Sequence, residues 1–182
     1  MVYSLEHYVR HEKAQPLSVG RLKKYARRPG LKFMDYEDIG KKTLKQIVGP
    51  AGGCCIMWSD PEGKIGHFVG LFKRPEGYLY FDPTGLAIHR LAEVTHNPET
   101  LRKKLEAAKV TYNRLRFQKI RSDTQSCGRH VLCRWNMLQL SDKEYRGVMT
   151  HKKLSPDEIA VMLTLPSDLA HWKRTLKEEA RG

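Results

Sequence analysis

The sequence predicts an α+β protein in which a central, largely antiparallel sheet is packed by helices. Residues 1–50 space their apolar side chains as helices do, whereas the chain from Gly52 onward breaks into short apolar runs separated by Gly and Pro turns. Helix-start signals then return towards the C-terminal end. The 182 residues contain no repeat and no internal boundary, so we expect a single domain over 1–182.

Two basic helices are predicted near the N-terminal end. Residues 17–27 and 36–47 both place apolar side chains at roughly helical intervals. The dipeptide Pro29-Gly30 is a breaker signal and should separate the two helices.

Three short strands follow, at residues 54–58, 65–72 and 78–81. The turns between them read Asp-Pro-Glu-Gly and Pro-Glu-Gly, and connections this short predict a three-stranded antiparallel meander. The adjacent residues Cys54 and Cys55 should point to opposite faces of the sheet.

The next part of the chain is predicted as a helix at 97–108, with Asn97 as a candidate cap, and an extended segment at 110–120. A loop should then lead into a helix that begins just after Ser126 and buries the apolar residues around Trp135.

A last helix is predicted to begin at Ser155. A capping Ser, a Pro in the first turn and two acids near the positive helix end are typical of a helix start. Pro166 is expected to end this helix.

Charge is the one unusual bulk property, with a formal net charge of +13. Such a field attracts polyanions, chiefly nucleic acid, but scattered basic clusters are equally typical of a well-solvated surface. The clusters lie at 21–28, 41–45 and 114–121.

Several other classes are disfavoured. No stretch is long and apolar enough to cross a bilayer, and the N-terminus lacks the apolar core of a secretory leader. We therefore expect no membrane partner and no secretion. The four cysteines form no C-x2-C pair, which argues against a structural zinc or other metal and favours a reduced, intracellular protein.

Cys127 is the candidate nucleophile. A thiol becomes a useful nucleophile when it is largely thiolate, and a helix N-terminus or a nearby imidazolium favours that state. Cys127 lies where a helix should start, and Gly128 beside it permits close approach of another chain. The alternative is a buried structural cysteine, which is how we interpret Cys133 further along the same helix.

His67 and Asp82 are the candidate base and its partner. They lie on neighbouring predicted strands, so the fold could bring them within hydrogen-bonding reach, and the carboxylate would then orient and charge the imidazole. Each residue also has an ordinary interpretation, His67 as a core histidine and Asp82 as the first residue of an Asp-Pro-x-Gly turn. His130 shares a predicted helix face with Cys127, and we interpret it as a packing residue or a support for the site.

Acyl transfer also requires donors for the developing oxyanion. The backbone N–H of Cys127 is one candidate. Gln118 and Gln125 are the two candidate side-chain amides.

In their order along the chain, these residues resemble the adenovirus-protease (adenain) and ubiquitin-like-protein-protease group of cysteine peptidases. Closer still, they look like the maturation proteases of virophages, Polinton-type elements and large DNA viruses. The resemblance spans about residues 50–135 and is carried by 66–69 (GHFV), 80–85 (YFDPTG), Gln118 and 126–130 (SCGRH).

The resemblance implies an adenain-like α+β fold, related in layout to papain. It implies that His67 is the general base, Asp82 its partner, Cys127 the nucleophile and Gln118 an oxyanion donor. In the family the glutamine stands nearer to the cysteine than Gln118 does, whereas Gln125 stands nearer still. Gln118 is preferred because it ends a predicted strand.

Viral members of the group cut capsid and core precursor proteins during particle maturation. The resemblance therefore implies viral structural precursors as substrates and a location in the virion and the cytoplasmic virus factory of an infected cell. We also expect a monomer. The chemistry requires no cofactor, but the adenovirus enzyme is activated by DNA, and the basic charge of this chain is compatible with that. Relatives often carry Trp after the His, where this chain has Phe68.

Two other functions stay open at this point. A deconjugase for ubiquitin-like modifiers would use the same site on a different substrate. A basic nucleic-acid-binding or packaging protein would instead use Cys127 and His67 as core residues only.

Overall fold

The computed structural model describes residues 5–62, 66–120 and 124–165. In this part of the chain, eight α-helices and five strands form an α+β arrangement, which confirms the predicted fold class. The helices are α1 (Leu5–Ala14), α2 (Val19–Tyr25), α3 (Leu44–Val48), α4 (Ile88–Val94), α5 (Thr100–Glu106), α6 (Cys127–Asn136), α7 (Asp142–Val148) and α8 (Pro156–Thr164). The strands are β1 (Lys32–Asp35), β2 (Gly53–Ser59), β3 (Gly66–Arg74), β4 (Gly77–Phe81) and β5 (Val110–Tyr112).

The five strands form one mixed sheet in the order β1-β2-β3-β4-β5. Its centre is the predicted meander, because β2 pairs antiparallel with β3, and β3 pairs antiparallel with β4. The two edge strands, β1 and β5, pair parallel with β2 and β4. The sheet is therefore antiparallel at its centre and parallel at both edges.

The sheet separates two apolar clusters. On one face α6 is the central helix, and Trp135 stacks on Phe72 of β3 with ring centroids 5.8 Å apart. A Cβ on Gly53 would overlap the Trp135 ring, so this close approach requires glycine. The other face packs against α4 and α5. Cys55 belongs to the first cluster and Cys54 to the second, which confirms that they point to opposite faces.

The prediction of one helix at 36–47 is wrong. Residues Tyr36–Ile39 form a short 3-10 helix, and α3 begins anew after Thr43. The Thr43 side chain accepts a hydrogen bond from the Gln46 backbone, and the Gln46 side chain accepts one from the Thr43 backbone. This reciprocal cap fixes a helix start at Thr43, in the middle of the apolar pattern.

The segment predicted as one helix at 97–108 also differs. The structure forms α4 before it, and α5 starts only after Glu99. Asn97 does not cap a helix, because its side-chain amide donates to the Ser59 carbonyl at 2.7 Å.

The extended segment predicted at 110–120 is much shorter in the structure. Strand β5 ends at Tyr112, and the chain then turns at Asn113. The Asn113 amide donates to the carbonyls of Asp82 and Leu115, at 2.7 and 3.0 Å. A side chain that binds two carbonyls of different segments directs the chain away from the sheet.

The predicted start of the last helix is confirmed. Ser155 caps α8, and Ser155 and Glu158 form a reciprocal capping box. Pro166, the predicted end, lies outside the described residues. Within the described ranges no helix is both long and apolar enough to span a membrane.

Candidate active site

Cys127 is the first residue of α6, and its side chain is nearly buried, with 7% exposed. Helix α6 packs against β3, which turns the start of the helix towards the first residues of that strand. A Cβ on Gly128 would lie 2.8 Å from Leu22 of α2. Glycine therefore lets α2 pack closely against the first turn of α6.

His67 is the second described residue of β3, and Asp82 follows the last residue of β4. The two strands pair from Gly70↔Phe81 to Arg74↔Gly77, so His67 lies beyond the end of β4, where the chain turns at Asp82. The His67 Nε2 and Asp82 Oδ1 atoms are 2.9 Å apart. The pairing of β3 with β4 and the turn at Asp82 thus bring together the two residues that the sequence suggested as a pair.

The Asp82 carboxylate is fully buried. Its Oδ1 atom also accepts hydrogen bonds from the Thr84 backbone N–H and hydroxyl. The turn is closed by the Gly85 N–H, which donates to the Asp82 carbonyl at 3.0 Å, and Gly85 has a φ of 71°. A left-handed residue at this position favours glycine, as the Asp-Pro-x-Gly pattern indicates.

The Cys127 side chain interacts with the His67 ring, and this interaction shifts the pKa of both groups. Because Asp82 occupies Nε2, the ring nitrogen left for the thiol is Nδ1. The structure therefore brings Cys127, His67 and Asp82 together, with the imidazole between the thiol and the carboxylate.

The electrostatics of these three residues favour an ion pair. Burial lowers the pKa of His67, but the hydrogen bonds to Asp82 and Cys127 outweigh burial and raise the pKa to about 10. Burial raises the pKa of Cys127, but the hydrogen bond to His67, together with its charge, outweighs it and the pKa is lowered. Opposite shifts of this kind favour a thiolate beside an imidazolium.

A backbone N–H adds to the stabilisation of the thiolate. The backbone of Phe68 hydrogen-bonds Cys127, as does that of Gly128. Strand β4 pairs with β3 only as far as Gly70, and Phe68 lies beyond that point. No residue of β4 therefore accepts the Phe68 N–H. Because β4 ends at Phe81, the Phe68 N–H remains available to the Cys127 sulfur.

The other three cysteines have the opposite character. Burial raises the pKa of Cys54 and of Cys133 to about 12, and it raises the pKa of Cys55 well above its ordinary value. Cys133 lies on the same helix as Cys127 but belongs to the apolar cluster. Environment, and not residue type, distinguishes Cys127 as the candidate nucleophile.

Gln118 lies between the Asp82 turn and the segment that leads to Cys127. Its backbone N–H donates to the Pro83 carbonyl at 2.8 Å, and its side-chain Nε2 donates to the Thr124 carbonyl at 3.4 Å. The side chain is nearly buried, and its Oε1 accepts no hydrogen bond from the described residues. The expectation that Gln118 ends a strand is wrong, because β5 ends at Tyr112.

Gln125, the alternative, is placed differently. Its side chain is half-buried, and its backbone N–H donates to the Lys13 carbonyl of α1 at 2.8 Å. Helix α1 is also tied to α6, because the buried Arg129 guanidinium donates to the Glu12 carboxylate. The N-terminal helix therefore supports the segment that precedes Cys127.

A second buried His–Asp pair lies behind the nucleophile. His130 Nε2 and Asp157 Oδ1 are 3.0 Å apart, and the same carboxylate oxygen accepts from the Ser126 hydroxyl at 2.5 Å. The other oxygen of Asp157 accepts from the Lys119 backbone N–H at 3.2 Å. Asp157 thus joins α8 to the residue before Cys127, in keeping with a supporting place for His130.

Neither Thr84 nor Asp157 was predicted from the sequence to be part of the site. Asp157 stands in a helix-start pattern, which accounts for an acid there without any contact to α6. Thr84 stands inside a turn motif. The only available signal was that Thr84 follows Asp82 by two residues, the spacing at which Asp side chains bind backbone N–H groups.

No known family model matches the chain. The chain is similar to a curated protein described as "Uncharacterized protein V9" of Sputnik virophage. The two are 24% identical over 140 residues, which cover 68% of this chain and 79% of the virophage protein. This similarity supports the virophage part of the resemblance found in the sequence, and the relative's name assigns no activity.

Proposed function

We propose that the protein is a cysteine endopeptidase with Cys127 as nucleophile, His67 as general base and acid, and Asp82 as the partner of His67. The observation that carries the proposal is that the His67 ring hydrogen-bonds the buried Asp82 carboxylate and also interacts with the Cys127 thiol. An ordinary core histidine requires neither a buried carboxylate on one nitrogen nor a thiol with a lowered pKa on the other.

The chemistry proceeds by acyl transfer. The Cys127 thiolate attacks the peptide carbonyl carbon, and the tetrahedral intermediate collapses as protonated His67 gives its proton to the leaving amine. The acyl group then remains on sulfur as a thioester. Neutral His67 removes a proton from water, the hydroxide attacks the thioester, and the acid product leaves with Cys127 restored.

Two donors are available for the developing oxyanion. The N–H of Cys127 lies at the first residue of α6, where no carbonyl of the same helix accepts it. Gln118 is our preferred second donor. One hydrogen of its amide binds the Thr124 carbonyl, and the other has no acceptor among the described residues, so it is available to the oxyanion. Gln125 is the alternative that a Gln118→Ala variant with unchanged turnover would favour.

We propose viral structural precursor proteins as the substrates, which is compatible with the similarity to a virophage protein. We place the enzyme in an adenain-like fold and in virus maturation, where it cuts capsid or core precursors in the virion or the virus factory. No observation favours removal of ubiquitin-like modifiers over this role. The net charge of +13 suits nucleic acid as a partner or activator, and Lys23, Lys24 and Arg27 of the α2 region are exposed.

The test is incubation of the purified protein with candidate virophage capsid precursors, with and without DNA, followed by mass mapping of the cut sites. The control is Cys127→Ala, and Cys133→Ala is the matched variant on the same helix. We expect discrete cuts by the wild-type protein and by Cys133→Ala, and none by Cys127→Ala. Cutting that persists in Cys127→Ala, or cutting of ubiquitin-like fusions alone, would contradict the proposal.

A further inference from the structure

We propose that Thr84 is a positioning residue, whose hydroxyl holds the Asp82 carboxylate in the orientation that serves His67. This inference rests on the proposed function for its biological meaning. The arrangement itself involves only the turn that follows β4.

The hydrogen bonds of Asp82 are unevenly divided between its two oxygens. Oδ1 accepts from His67 Nε2 at 2.9 Å, from the Thr84 backbone N–H at 2.7 Å and from the Thr84 hydroxyl at 2.7 Å. Oδ2 is buried and accepts no hydrogen bond from the described residues. A rotation of the carboxylate would therefore disturb all three bonds together, and two of the three come from Thr84.

The surroundings of Thr84 fix the direction of its hydroxyl. The residue is 6% exposed, and the Leu86 N–H donates to its Oγ1 at 3.4 Å. A hydroxyl has one proton, and with an N–H occupying the acceptor side the proton points to Asp82. Thr is also stiff at χ1, so the donor stays in place.

The backbone around Thr84 is held as well. The Pro83 carbonyl accepts from the backbone N–H groups of Phe117 and Gln118, each at 2.8 Å. The turn is therefore anchored to the segment that carries the candidate oxyanion donor. Thr84 is placed by this rigid turn and in turn places Asp82.

The hydroxyl could affect His67 in two opposite ways. If it positions Asp82, its loss frees the carboxylate, weakens the bond to His67 and raises the apparent pKa of Cys127. If it only draws negative charge from Oδ1, its loss strengthens the bond to His67 and lowers the apparent pKa of Cys127. The structure favours positioning, because the two donors of Thr84 and the imidazole converge on one oxygen while the other oxygen has none.

The experiment measures the rate of iodoacetamide alkylation at Cys127 from about pH 5 to about pH 10 by mass spectrometry of the full chain. The variants are Thr84→Val, which keeps the shape and loses the hydroxyl, and Thr84→Ser, which keeps the hydroxyl. Thr95→Val is the matched control, since Thr95 is buried and its hydroxyl donates to the Leu91 carbonyl at 2.7 Å in α4.

We expect Thr84→Val to react about fivefold more slowly at about pH 6, with its profile displaced to higher pH. Thr84→Ser and Thr95→Val should follow the wild-type profile. In an Asp82→Asn background, Thr84→Val should add nothing, because the hydroxyl acts through the carboxylate. If Thr84→Val does not fold, Thr84→Ala takes its place.

An unchanged profile for Thr84→Val, a profile displaced to lower pH, or a full additional effect in the Asp82→Asn background would each overturn the inference. The alkylation assay requires no peptide substrate. A protein that cuts no precursor but shows the expected displacement would therefore refute the peptidase proposal and leave the role of Thr84 standing.

Discussion

The described part of the chain contains two buried His–Asp pairs, and the differences between them explain why only one is a candidate for catalysis. In both pairs Nε2 of the histidine meets Oδ1 of the aspartate, at 2.9 Å for His67–Asp82 and 3.0 Å for His130–Asp157. The pairs differ at the other ring nitrogen. The Cys127 thiol interacts with the ring of His67, whereas Nδ1 of His130 has no hydrogen-bond partner among the described residues.

The position of each pair in the fold accounts for this difference. His67 lies at the start of β3, before Gly70, the first residue of that strand that pairs with β4, and its side chain is 11% exposed. His130 lies on α6 between the sheet and α8, with its side chain fully buried. A partly exposed histidine is accessible to a substrate, whereas a fully buried one serves only as support. The same two residue types thus form a candidate catalytic pair in one place and a structural link in the other.

The largest expected effect separates the two histidines. His67→Ala should slow alkylation of Cys127 at about pH 7 on the order of 10²-fold, because a thiol of ordinary pKa is only about 1% ionised there. His130→Leu should leave the rate within about threefold. Its cost is instead to stability, about 3 kcal/mol or more, because Asp157 loses its buried partner. Mass spectrometry and urea denaturation measure the two quantities, and equal loss of reactivity in both variants would contradict this distinction.

The two aspartates should differ in the same way as the two histidines, with a smaller effect on the rate of Cys127 alkylation. Asp82→Asn removes the charge that stabilises the imidazolium, and we expect alkylation at about pH 7 to slow roughly tenfold. Asp157→Asn should change that rate little but lower the free energy of unfolding by about 1 to 3 kcal/mol, since Ser126 and His130 lose a charged acceptor. A larger loss of reactivity in Asp157→Asn than in Asp82→Asn would reverse the assignment of the pairs.

The ion pair should also shape the dependence of stability on pH. The pKa of His67 is raised from 6.5 to about 10, so its stabilising contribution is complete below about pH 6.5 and is lost as the pH rises towards 10. The pKa of Cys127 is lowered from 9.0, so its contribution is complete above about pH 9 and is lost as the pH falls. Above the lowered pKa of Cys127 and up to about pH 9, the two contributions change in opposite directions and cancel.

We therefore expect the part of the free energy of unfolding that depends on this pair to be level from the lowered pKa of Cys127 up to about pH 9, and to fall above about pH 9. Cys127→Ala retains only the His67 contribution, so its stability should decline with rising pH across the same interval. The measurement is urea denaturation at a series of pH values, with Cys133→Ala as the control. Parallel curves for the wild-type protein and Cys127→Ala would show that no such ion pair forms.

The smallest expected effect concerns the residue before the nucleophile. Ser126→Ala removes the 2.5 Å hydrogen bond to Asp157 and should lower the free energy of unfolding by about 1 to 2 kcal/mol. The matched control is Ser141→Ala, which removes the cap of α7 at a cost of about 1 kcal/mol. Only Ser126→Ala should also slow alkylation, by about twofold to threefold, because Ser126 precedes Cys127. An equal rate in both variants would limit Asp157 to a role in stability.

The parts of this arrangement that the sequence predicted are those encoded locally. Short strands with tight turns indicate the meander, and the meander by itself brings His67 and Asp82 together. The reciprocal cap at Ser155 is likewise encoded within four residues. Such features depend on neighbours in the chain, so their patterns are visible in one sequence.

The parts that were missed depend on distant contacts. Strand β1 is four residues long and exists through parallel pairing with β2. The turn at Asn113 depends on a hydrogen bond to the Asp82 carbonyl. Because of this turn the strand is shorter than predicted, and Gln118 does not end it, which was the reason for preferring Gln118 as oxyanion donor. Asp157 meets Ser126 and His130 only because α8 packs on α6. No local pattern encodes these contacts.

The measurement that tests the central claim most directly is an NMR titration of the protein with ¹⁵N-labelled histidine, in which His67→Gln identifies the resonances of His67. We predict that both ring nitrogens of His67 carry a proton at about pH 8 and that the ring loses its charge only near pH 10, because Asp82 and the Cys127 sulfur raise its pKa to about 10. A His67 ring that is neutral at about pH 8 and titrates near its ordinary value of 6.5 would contradict the account.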